Sequence, residues 1–149
     1  MRIPTRLRRL TLVPVVALIA GSALTAQRGE TFRGRLSTLP VDRLTAPTIT
    51  GWGEATGVLD GDELTITATF EGMSSPATVA HVHRARKGVR GPVAFAVDVP
   101  PVADGKLEET VTLTVTQRRD LRDGLYYLQI HTEGNTAGEL RGWLLPTDR

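Results

Sequence analysis

Leu59-Asp-Gly-Asp-Glu-Leu64-Thr-Ile-Thr-Ala-Thr-Phe70 (LDGDELTITATF) decides between helix and sheet for this chain. Leu64, Ile66, Ala68 and Phe70 fall on every second residue, with Thr65, Thr67 and Thr69 between them. A period of two belongs to a strand, because successive side chains of extended backbone point to opposite faces. Threonine, branched at Cβ, also favours the pleated conformation. Asp60-Gly61-Asp62 separates this run from another β-patterned one and reads as a hairpin turn. The stretch therefore predicts a strand whose aliphatic residues face a core and whose threonines face outward.

The same alternation recurs on both sides. Thr48–Leu59, with Gly51, Gly53 and Gly57, predicts a strand carrying a bulge or a close backbone approach. Ahead of it, residues 27–47 are polar and loosely patterned, with Thr31–Ser37 as an edge-strand candidate. Gly72–Pro76 turns the chain into Ala80-His81-Val82-His83, where Ala80 and Val82 take the inward positions. Pro92 opens a strand with Val93, Phe95, Val97 and Val99 on one face. Glu108–Val115 repeats the pattern, with Val111, Leu113 and Val115 inward. Thr116–Asp123 is the helical candidate, started by a threonine cap and stopped at Gly124. Tyr126, Leu128 and Ile130 then alternate with Tyr127, Gln129 and His131, and Glu139–Leu145 closes the domain. Short strands joined by turns, with at most one short helix, predict an all-β antiparallel sandwich or barrel. Residues 48–146 form its core.

Residues 1–26 carry the pattern of an export leader. Arg2, Arg6, Arg8 and Arg9 precede an apolar run from Leu10 to Ala20, and small residues follow to Ala26. Pro14 and the short apolar run argue against a stable spanning helix. The expected product is exported, periplasmic or secreted, without membrane insertion. The whole chain has 18 Lys+Arg and 16 Asp+Glu. Without the four leader arginines the balance is 14 to 16, so the basic character belongs to the leader. Nothing in that balance points to nucleic acid. With no cysteine, the domain must rest on its own core rather than on disulfides.

The chain has three histidines, and two of them stand at i and i+2 in His81-Val82-His83. On a strand they share a face, with Cα atoms about 6–7 Å apart. His131 falls on the non-core face of its own strand-like run. If the two strands are neighbours, three imidazoles can converge on one ion, and imidazole suits copper as well as zinc. Arg84, Arg86, Lys87 and Arg90 make a basic loop beside the pair, suited to an anion or an acidic partner. Arg141 shares a face with Glu139 and Trp143, which predicts a Glu139–Arg141 ion pair or a guide for anions.

Two segments carry a family resemblance. Ser75–Val97 (SPATVAHVHRARKGVRGPVAFAV) and Gly124–Leu145 (GLYYLQIHTEGNTAGELRGWLL) resemble the CHRD domain, named for chordin. The matching residues are Ala80, His81, His83, Gly91 and Pro92, then His131, Thr132, Gly138, Glu139, Arg141 and Gly142. Ala137 stands where that family often has glycine. The resemblance spans about residues 32–145. It implies an immunoglobulin-like sandwich related to the Cu/Zn superoxide dismutase barrel, serving as a binding or structural module for a protein or small ligand. His81-Val82-His83 is similar to the dismutase copper motif. A fourth copper histidine, a zinc subsite and the disulfide cysteines are missing, which argues against dismutase activity. No G-x-S-x-G or Gly-rich phosphate loop occurs, and Glu108-Glu109 point to opposite faces of their strand. The sequence thus favours a binding module over an enzyme.

Overall fold

A computed structural model describes residues 29–39, 43–44 and 46–147. The leader expected over residues 1–26 lies outside the described residues. The elements run β1 (Glu30–Thr38), β2 (Trp52–Asp60), β3 (Glu63–Glu71), β4 (Ala77–Arg84), β5 (Val93–Val97), β6 (Gly105–Thr112), α1 (Val115–Arg122), β7 (Tyr126–Thr132), β8 (Leu140–Trp143) and β9 (Leu145–Pro146). All pairings are antiparallel, in the order β5-β4-β7-β8-β1-β2-β3-β6, with β9 also on β1. The result is the expected all-β sandwich, curled into an unclosed barrel that ends at β5 and β6.

The alternation behaves as read. Leu64, Ile66, Ala68 and Phe70 are all buried. The β2–β3 hairpin pairs Asp60 with Glu63 across a two-residue loop in which Gly61 has φ +62°. Leu128 and Ile130 of β7 and Leu140 of β8 meet them in one continuous core with Phe32 and Leu36. Each of these large side chains contributes about 1.5–3 kcal/mol by leaving water.

Five local readings need correction. β1 is not an edge strand: it lies between β2 and β8, joining the two layers. Glycine-rich β2 starts at Trp52 and pairs with β3 in an unbroken register, so it has no bulge. Its glycines serve close approach instead, since a Cβ on Gly53 would lie 2.2 Å from the Thr69 carbonyl oxygen. The helix starts one turn-residue earlier than Thr116. Thr114 is its cap, accepting from the Gln117 N–H while the Gln117 side chain accepts from the Thr114 N–H. That reciprocal pair draws Val115 out of the strand pattern and leaves it 75% exposed. Val93 is also exposed, because β5 is an outer strand whose first residue extends past the core.

Leu113 is the last inward residue before the cap. It is buried, and its N–H donates to the Asp62 carbonyl at 2.7 Å. Leu113→Ala is expected to lower the unfolding free energy by about 2–5 kcal/mol, read by urea denaturation. A loss under about 0.5 kcal/mol would mean the residue does not fill the core.

Candidate functional site

β4 and β7 are neighbours in the sheet, with His81 opposite Gln129, His83 opposite Tyr127 and Val79 opposite His131. Because Ala80 and Val82 point into the core, His81 and His83 emerge on the outer face. His131 emerges beside them, one strand over and two residues along. Ring centroids lie 5.8 Å apart for His81–His83, 5.2 Å for His81–His131 and 6.4 Å for His83–His131. One ring nitrogen from each lies within 4.8 Å of the others.

Hydrogen bonds decide which nitrogens face inward. His83 Nδ1–H donates to the Gly91 carbonyl at 2.9 Å, and His131 Nδ1–H donates to the Thr136 carbonyl at 2.9 Å. Each leaves Nε2 as the ring's acceptor nitrogen. His83 Nε2 is buried and has no partner among the described residues. His131 Nε2 lies 3.4 Å from His81 Nδ1 and accepts from the Gln129 amide at 3.2 Å. A carbonyl holding one imidazole nitrogen protonated while the other is presented is the usual support for a metal-ligating histidine.

Electrostatics favour the neutral forms of His81 and His83. Burial pushes His81 below the ordinary imidazole pKa, and the neighbouring His131 and His83 push the same way. Burial also lowers His83; the Gly91 carbonyl opposes it, while His131 and Arg141 assist. Neutral imidazole is the form that binds a metal.

The floor beside the cluster is aromatic. His83 stacks on Tyr127 at 4.9 Å with an interplanar angle of 4°. The Arg141 guanidinium lies over the Tyr127 ring at 4.7 Å, and Trp143 packs against that ring at 4.8 Å. Gly91 serves both residues: its carbonyl accepts from His83 and its N–H donates to the Tyr127 hydroxyl at 3.2 Å. Only glycine fits there, since a Cβ would sit 1.9 Å from the Arg84 carbonyl oxygen. Tyr127 and Gln129, expected on an outer face, are buried because Arg141, Trp143 and the β4–β5 loop cover them.

The other site candidates separate. Arg84 leaves the basic loop and forms a two-pronged ion pair with Asp120 of α1, at 2.6 and 2.8 Å. That pair holds the Asp120 carboxyl below its usual range. Arg86, Lys87 and Arg90 stay on the exposed loop. The predicted Glu139–Arg141 ion pair does not form. Arg141 donates through Nε and Nη2 to Gln129 Oε1 instead, at 2.9 and 2.6 Å. Glu139 is fully buried where the β3–β4 turn, the approach to β2 and the β7–β8 turn meet. Its carboxylate accepts from the Thr50 and Ser74 N–H groups, the Ser74 and Thr132 hydroxyls and the Asn135 amide. Burial pushes its carboxyl up, but those donors outweigh burial and the net direction is down. Strand parity does not apply at Glu139, which precedes β8, so the sequence pattern gave no sign of this role.

The family model of the CHRD domain matches residues 38–144. The chain belongs to the CHRD domain family. No curated protein and no solved structure matches it significantly. The match suggests a binding or structural module, and the two segments that carry the resemblance meet at the cluster: His81, His83 and Gly91 from one, His131 and Arg141 from the other. No helix among the described residues is long and apolar enough to cross a membrane.

Proposed function

We propose that this CHRD domain is an exported module that binds one divalent metal ion, Cu(II) ahead of Zn(II), through His81, His83 and His131. The observation that carries the reading is the buried Nε2 of His83, without a partner among the described residues, in a cluster where one ring nitrogen from each histidine lies within 4.8 Å of the others. A buried nitrogen acceptor without a donor is costly, and a metal ion satisfies it. Tetrahedral ligands at metal–nitrogen distances of about 2.05 Å stand about 3.3–3.4 Å apart. His81 Nδ1 and His131 Nε2 already have that spacing, and a ring nitrogen of His83 lies within 4.8 Å of the other two rings' nitrogens. Three nitrogens leave a position open for water or another small ligand. Copper ranks first because nitrogen sites bind Cu(II) more tightly than Zn(II). The leader-like pattern of residues 1–26 is in keeping with a module working outside the cytoplasm.

Titration calorimetry with Cu(II) and Zn(II) tests the assignment. Wild type is expected to bind one equivalent, and His83→Ala to bind at least about a hundredfold more weakly with its fold intact. Equal binding by wild type and variant would falsify the assignment. Because a proton competes with the metal for each nitrogen, affinity is expected to fall as pH drops. With His81 and His83 both held below the ordinary value of about 6.5, the fall should set in below that pH. A pH series of the same titration reads it.

A further inference from the structure

A second depression lies beside the aromatic floor of the histidine cluster and shares Arg141 and Trp143 with it. It is about 390 Å³ in volume and takes Arg33 and Arg35 from β1, Arg141 and Trp143 from β8 and Lys87 from the β4–β5 loop. We propose that this cleft binds a small polyanion, a ligand carrying two or more carboxylate or phosphate groups.

The lining includes four cations and no carboxylate. Among the described residues, the ion pairs are Arg84–Asp120, Arg119–Asp123 and Arg122–Glu30, and none of them involves a cation of the cleft. Glu54, directly opposite Arg35 on β2, lines an adjoining depression that Arg33 and Arg35 also border, but it is not part of the lining of this cleft. Four like charges around one concavity repel one another, and the repulsion is relieved when an anion enters. The chain around them is close to neutral, so this concentration of charge is local.

The backbone shapes the cleft. Gly34 of β1 and Gly142 of β8 face each other at its floor. A Cβ on Gly34 would lie 2.5 Å from the Trp143 carbonyl oxygen, and one on Gly142 would lie 2.5 Å from that of Arg35. Glycine at both places lets β1 and β8 approach closely between the pairing of β1 with β9 at Arg33 and its pairing with β8 at Ser37, and the cations stand around the dip. Arg33 and Arg35 alternate with Phe32, Gly34 and Leu36, which point inward, so the two guanidinium groups share the outer face. Arg141 is anchored on the opposite side by Gln129 and its two aromatic neighbours. Planar guanidinium groups bind carboxylate and phosphate through paired hydrogen bonds. The volume falls within the range of small-molecule sites, about 300–1,000 Å³.

The test uses metal-free protein, so its outcome is separate from that of the histidine site. Citrate and pyrophosphate are titrated in turn at low ionic strength by calorimetry. At least one is expected to bind saturably, with affinity falling as salt is added. Arg33→Gln/Arg35→Gln is expected to weaken binding about tenfold or more, with the unfolding temperature unchanged because both side chains are exposed. Lys106→Gln, on distant β6, is expected to bind as wild type does. Preference for citrate identifies a carboxylate ligand and preference for pyrophosphate a phosphate ligand. Failure of both anions to bind at millimolar concentration overturns the proposal, as does a double variant that binds like wild type or a Lys106→Gln variant that loses as much.

Discussion

Glu139→Ala is expected to lower the unfolding free energy by about 3–5 kcal/mol, among the largest losses available to a single substitution here. The carboxylate is fully buried, pairs with no cation among the described residues, and is held by five donors from three separate segments. Truncation leaves the buried Thr132 hydroxyl without its acceptor, a loss of about 1–3 kcal/mol, and removes the acceptor that ties the part-buried Thr50 and Ser74 N–H groups to it. Glu139→Gln retains the shape but turns an amide NH₂ toward donors, so it should also be destabilising, by less than alanine. Urea denaturation of the two variants reads the difference; an alanine variant within about 0.5 kcal/mol of wild type would remove Glu139 from this role. The same carboxylate shapes the acid limb of stability. Its folded pKa is lowered, so its contribution is present above the unfolded value of about 4.3 and is lost as pH falls through the folded one. Asp120, lowered by Arg84, adds a loss of the same sign at its own lowered pKa. In Glu139→Gln the stability curve should therefore be flatter at acid pH than in wild type.

Tyr127→Ala is expected to cost about 3–5 kcal/mol and to weaken the histidine site at the same time. The ring is only 1% exposed, although it lies on the outer face, and His83, Arg141 and Trp143 all pack on it. Removing it leaves a cavity beneath three side chains and releases His83 from its stacked orientation. Tyr127→Phe keeps the ring and loses only the acceptor for the Gly91 N–H, a change of about 1–3 kcal/mol. Denaturation together with metal titration on both variants separates packing from positioning. If alanine alone reduces metal affinity, the ring orients His83; if both variants bind as wild type does, the Gly91 hydrogen bond suffices to place that imidazole.

How far the sequence reached is clearest at these residues. The period-two runs settled which side chains enter the core, and Leu64, Ile66, Phe70, Ala80, Val82, Leu128 and Ile130 are all buried as the alternation requires. The same parity put His81 and His83 together on the outer face, since i and i+2 on a strand are neighbours whatever the rest of the fold does. Local patterns carry that information because backbone geometry is local.

Only the tertiary structure decided what that outer face becomes. Pairing β4 with β7 is a contact between residues about fifty positions apart, and the register that sets His131 diagonal to His81 follows from the packed sheet. Parity marks Tyr127 and Gln129 as non-core, yet they are buried because β8 and the β4–β5 loop fold over them. Arg33 and Arg35 read as an edge of the chain, but β1 runs through the middle of the sheet and carries them to a cleft with Lys87 and Arg141. Glu139 and Arg141 look like an ion pair in sequence and take separate partners in space. A charge's sequence neighbours are known from the chain alone, whereas its solvation and its partners depend on which distant strands close around it.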